Sequence, residues 1–75
     1  MDYRNYIESN PSVMLGKPVI KGTRLTVEII LQKLSEGATV DQLIAAYPAL
    51  KPEDISAVLA YASDVISNET IIAVA

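Results

Sequence analysis

The hydrophobic pattern of the chain changes character once, at Thr26. From there on, apolar positions recur at helical spacing in three runs: Val27, Ile30, Leu31 and Leu34; then Val40, Leu43, Ile44 and Tyr47; then Ile55, Val58, Leu59, Ala62, Val65 and Ile66. Each run has its own start and stop. Thr26 is an N-cap candidate with Gly37 just past the end of the first run. Thr39 and Gln42 have capping-box spacing for the second, and Pro48 ends it. Pro52 suits the first position of the third helix, where Glu53 and Asp54 meet the positive end of the helix dipole. The pattern predicts three amphipathic helices, the longest last and central to the core. Short connections at Glu36-Gly37-Ala38 and Pro48-Ala49-Leu50-Lys51 make a compact unit, and the last two helices have the proportions of a helix-turn-helix.

Before Thr26 the period is lost. Val13-Met14-Leu15 and Val19-Ile20 are short apolar pieces around Gly16-Lys17-Pro18, which predicts a small β hairpin or extended element with Pro18 at an edge. A hairpin of that size must lean on the helices or on a second subunit. In residues 1–11, Tyr3, Tyr6 and Ile7 fit one helical turn that Ser9, Asn10 and Pro11 bring to an end, so a short helix or arm is expected. Both tyrosines have a polar tip and suit either the core or a partner surface. Residues 69–75 form an apolar, β-prone tail whose Ile71, Ile72 and Val74 call for cover by the domain itself, a second subunit or a partner protein. The predicted organisation is an N-terminal helix or arm (1–11), a mainly α three-helix domain with a leading β element (12–68) and the tail (69–75).

Composition narrows the chemistry. A 75-residue chain buries only roughly 60% of its unfolded surface, so a homo-oligomer or another partner is expected. Cysteine and histidine are absent, which removes disulfides, thiolate zinc sites and the commonest general base. The acids that open the helices are accounted for by the dipole, and no hydroxyl has an evident base beside it; the expectation is no enzyme and no cofactor. No apolar run approaches the roughly 20 residues of a membrane span, and the start M-D-Y-R-N-Y lacks a signal peptide's apolar core. A cytoplasmic protein with no membrane contact is expected.

The net charge of -3 is unevenly spread. Residues 1–16 carry -1, residues 17–24 carry +3, and the remainder carries -5. Lys17, Lys21, Thr23 and Arg24 are therefore the candidate contacts to DNA or another anion, with Gly22-Thr23 offering backbone N–H groups and a hydroxyl. The plainer alternative is a solvated turn in which Arg24 pairs with an acid on a helix. The third helix argues against ordinary DNA reading: it opens with Glu53 and Asp54 and contains no basic residue, whereas recognition helices present Arg, Lys, Asn or Gln to base edges.

The segments G-K-P-V-I-K-G-T-R-L-T-V (16–27), Gly37-Ala-Thr-Val-Asp-Gln-Leu, Tyr47-Pro-Ala-Leu-Lys-Pro-Glu-Asp-Ile and Leu59-Ala-Tyr-Ala resemble the domain of unknown function family 433, small prokaryotic proteins related to VapB-type antitoxins. The resemblance covers about residues 10–63. It implies a homeodomain-like three-helix fold with a short β element before the first helix. It also implies an antitoxin that neutralises a PIN-like ribonuclease toxin and, with it, binds promoter DNA. On that reading Lys17, Lys21, Thr23 and Arg24 carry phosphate or partner contacts, while Tyr3, Tyr6, Ile71, Ile72 and Val74 meet a toxin or a second subunit. Two alternatives stay open: a stand-alone dimeric helix-turn-helix transcriptional regulator, and a plain assembly module. The chain departs from the family's frequent G-G pair, having Leu15-Gly16 instead.

Overall fold

The computed structural model describes residues 1–68. It is mainly helical: α1 spans Val27–Ser35, α2 Val40–Ala46 and α3 Pro52–Ser67, with a two-stranded antiparallel sheet of β1 (Ile7–Glu8) and β2 (Val19–Ile20). The expected helix starts are all present. Thr26 Oγ1 accepts from the Ile29 N–H at 3.1 Å. In α2 both halves of the capping box form: Thr39 Oγ1 accepts from the Gln42 N–H, and Gln42 Oε1 accepts from the Thr39 N–H. Pro52 opens α3. There Asp54 does more than meet a dipole, because its buried carboxylate accepts from the Lys51 N–H at 2.9 Å.

The leading β element differs from the expected hairpin. Val19-Ile20 pairs with Ile7-Glu8, in the register Ile7 to Ile20 and Glu8 to Val19, and not with Val13–Leu15. The reason is burial. This pairing places Ile7 and Ile20 together in the core with Val27, Ile30, Leu43, Leu50, Ile55 and Val58. Each buried aliphatic side chain of this kind contributes about 1.5–3 kcal/mol relative to leaving it exposed, which two free-standing strand pieces would forgo. The segment expected as a helix or arm is correspondingly a single 3-10 turn, Tyr3–Asn5, running into β1. Ile7 thus belongs to a strand, not to a helical turn with Tyr3 and Tyr6.

Val13–Leu15 does something else. Met14, Leu15 and Gly16 have φ of 49°, 58° and 81°, three successive residues in the left-handed region. The turn is closed by the Gly16 N–H donating to the Val13 carbonyl and the Lys17 N–H donating to the Met14 carbonyl, at 3.0 and 3.1 Å. For Met14 and Leu15 that conformation costs about 1–2 kcal/mol each. It leaves Leu15 94% exposed.

The third helix is only half a core helix. Ile55, Ala57 and Val58 are buried, but Leu59, Val65 and Ile66, expected to continue the buried stripe, are 51%, 45% and 67% exposed. The helical period continues but full burial does not: α3 packs on α1, the Tyr3–Asn5 turn, α2 and β1, and its buried residues all lie in its first half.

Candidate binding surface

The cationic stretch 17–24 folds as a connector: it runs through β2, makes a turn and delivers Thr26 to α1. Ile20 is held on both sides, its N–H donating to the Leu25 carbonyl while the next residue, Lys21, donates to the Tyr6 carbonyl. The Val27 N–H donates to the Pro18 carbonyl. Inside the turn, Thr23 Oγ1 donates to the Ile20 carbonyl at 2.8 Å and accepts from the Leu25 N–H at 3.0 Å. Gly22 takes the left-handed position, with φ 78°. These bonds tie the ends of a six-residue excursion, Ile20 and Leu25, to each other and to its Thr23.

That bonding engages Thr23 within its own turn. Its hydroxyl is already used as donor and acceptor, and its N–H donates to Ile20. The turn does hold a carboxylate, but the chain's own: the Gly22 N–H donates to Glu8 Oε2 at 3.1 Å. Lys17 is also engaged, its Nζ lying 2.9 Å from Glu28 Oε1. That hydrogen-bonded ion pair holds the Glu28 carboxyl below its usual range. It is the only ion pair among the described residues, so Arg24 has a guanidinium without a carboxylate partner there. Lys21 and Arg24 are both exposed, and of the four predicted contacts these two remain open to an external anion.

The tyrosines face their own domain. Tyr3 stacks edge-on against Tyr61 of α3, with ring centroids 5.3 Å apart and planes at 90°. Its hydroxyl donates to Asp64 Oδ2. The hydrogen bond to that carboxylate, with some desolvation, raises the Tyr3 pKa above the ordinary phenol value. Tyr6 is half-buried against the core. The third group of predicted contacts, Ile71, Ile72 and Val74, lies outside the described residues.

Two features escaped the sequence reading. The first is the outer side of α3, where Leu59, Ala62, Val65 and Ile66 fall within about 120° of the helix circumference at 100° per residue, continuous and largely exposed. Its signal was present, since the apolar stripe runs for about three turns, beyond what the shorter α1 and α2 bury. The second is the turn that raises Leu15. Beside it lies a groove of about 440 Å³ lined by Met14, Arg24, Thr26, Glu28, Ile29 and Gln32. Only Gly16 hinted at this backbone, and nothing in the sequence marks Met14 and Leu15 as left-handed. Among the described residues no helix is long and apolar enough to cross a membrane.

Comparison with known proteins places this geometry. A crystal structure of a DUF433 member from Anabaena variabilis superposes with a TM-score of 0.79 at 33% sequence identity, covering 85% of this chain and 63% of that one. The uncharacterized protein y4eO of Sinorhizobium fredii is 32% identical over 59 residues, 79% of this chain. The chain spans 27% of that relative's length. The model of the family described as "Protein of unknown function (DUF433)" matches residues 7–62, from β1 to the exposed side of α3, and the chain belongs to that family.

Proposed function

We propose that this domain is an antitoxin-like binding module with no catalysis of its own, which masks a PIN-like ribonuclease and, together with it, binds promoter DNA as a weaker second activity. The observation that carries the reading is the exposed apolar side of α3, Leu59, Val65 and Ile66, on an otherwise well-capped helix. A continuous apolar stripe of this kind fits a partner's groove in the helix-in-groove mode. The same helix is a poor reader of bases in the helix-turn-helix position: Asp54 is buried as the cap of Lys51, Glu53 is exposed at the first turn, and no basic side chain follows. DNA contact therefore falls to Lys21 and Arg24, which hold phosphate positions and add affinity without sequence reading.

The test is co-expression with a PIN-like ribonuclease encoded beside the gene. Relief of growth arrest and a complex on gel filtration are expected, and Leu59→Ser with Ile66→Ser should abolish both while leaving the fold intact. No rescue and no complex with the wild-type chain would sink the reading. Promoter binding by the complex should weaken with salt and fall further when Lys21 and Arg24 become alanine.

A further inference from the structure

We propose that the Met14–Gly16 turn is a self-association device: Leu15 of one copy seats in the groove beside the turn of a second copy, and the reverse contact forms about the same two-fold axis. Three observations point the same way. Leu15 is almost wholly exposed on a backbone that two non-glycine residues adopt at a cost, and such strain in a small fold marks a segment shaped for something other than stability. The groove is adjacent to the knob, because Met14, its chain neighbour, forms part of the wall together with Ile29. A knob next to its own hole cannot fill that hole, but two copies related by a two-fold axis fill each other's, which is the self-complementarity a closed dimer requires.

Charge favours a second copy over an unrelated partner. The groove carries one cation and one anion, Arg24 and Glu28. Arg24 has no carboxylate partner among the described residues, whereas the Glu28 carboxylate keeps one oxygen free of its Lys17 contact, Oε1 being the atom engaged. Across a two-fold axis Arg24 of each copy can reach Glu28 of the other, so one surface supplies both members of two equivalent ion pairs. A partner with a uniformly acidic rim would meet Glu28 as well as Arg24 and gain less.

Sedimentation equilibrium of the whole chain tests the idea. A dimer is expected at micromolar to tens of micromolar concentration, with Leu15→Asn weakening it at least tenfold. Because Leu15 touches little of its own fold, that variant should melt no lower than the wild type in dilute solution, where both are monomers, whereas at higher concentration only the wild type should gain melting temperature from association. Arg24→Glu and Glu28→Arg should each weaken the dimer, and an equimolar mixture of the two should associate again as a heterodimer, an outcome that contacts within one chain cannot produce. A monomeric wild type at several hundred micromolar would overturn the proposal. So would a dimer indifferent to Leu15→Asn, or single charge variants whose mixture fails to associate. The outcome is separable from the ribonuclease reading, whose variants at Leu59 and Ile66 should leave the dimer unchanged; Arg24 is shared with the DNA contact, so there Lys21→Ala, which should also leave the dimer unchanged, is the distinguishing variant.

Discussion

The turns at 13–17 and 20–26 are made of similar residues and are put to opposite uses. Both contain a glycine at positive φ, a lysine and flanking aliphatics. In the second, the left-handed position falls on Gly22, Thr23 bonds to Ile20 and Leu25, Thr26 caps α1, and Ile20 and Val27 are buried. In the first, the left-handed positions extend to Met14 and Leu15, and the apolar side chain is turned outward. One turn puts its left-handed position on a glycine and turns its aliphatics inward; the other accepts strain at two non-glycine residues and exposes one. The difference separates residues that hold the fold from residues that a partner could recognise, within fourteen positions of the chain.

Breaking the second turn should have the largest effect. Ile20→Ala removes a core side chain that is 2% exposed and should cost about 3 kcal/mol, a large share of a small domain's stability, read as a loss of the folded baseline in urea unfolding. Thr23→Val deletes one donor and one acceptor at once and leaves the Leu25 N–H without its bond. About 2 kcal/mol is expected, with faster amide exchange at Leu25. The sharpest contrast comes from exchanging the backbone demands. Gly22→Leu should destabilise by about 1–2 kcal/mol although nothing lies within 4 Å of the added carbon. Leu15→Gly should stabilise the monomer by up to about 1 kcal/mol, both followed by the shift in melting temperature in dilute solution.

The smallest effect belongs to the ion pair linking the first turn to α1. Glu28 has a folded pKa below its ordinary value of 4.5, because the Lys17 ammonium donates to it and attracts it. A depressed carboxyl pKa contributes stability above the unfolded value, and the contribution is lost as the pH falls through the folded value. Glu28→Gln should therefore lower the denaturation midpoint slightly at pH 7 and not at all at pH 2. Since both side chains are exposed, the difference should shrink further in high salt.

Local signals were readable where one residue type does one job. Thr26, Thr39 with Gln42, Pro52 and Gly37 stood at spacings that only helix ends explain, and they sit at helix ends. The basic stretch was also visible, but its availability was not, since Glu8 and Glu28 reach it from 14 and 11 residues away. Which strand pairs with Val19-Ile20 could not be read either: Val13–Leu15 and Ile7-Glu8 are both very short, and a two-residue strand carries too little pattern to name its partner.

By itself the sequence determined the three helices, their caps and their order, because capping and apolar periodicity are properties of neighbouring residues. Tertiary structure decided which aliphatic residues are spent on the core and which are left at the surface. Ile7 and Leu15 are both aliphatic residues in the irregular first part of the chain, and the sequence ranks neither above the other. Burial depends on what other segments bring to the same place: β2 covers Ile7, α1 and α2 stop short of Ile66, and a left-handed backbone carries Leu15 away from all of them.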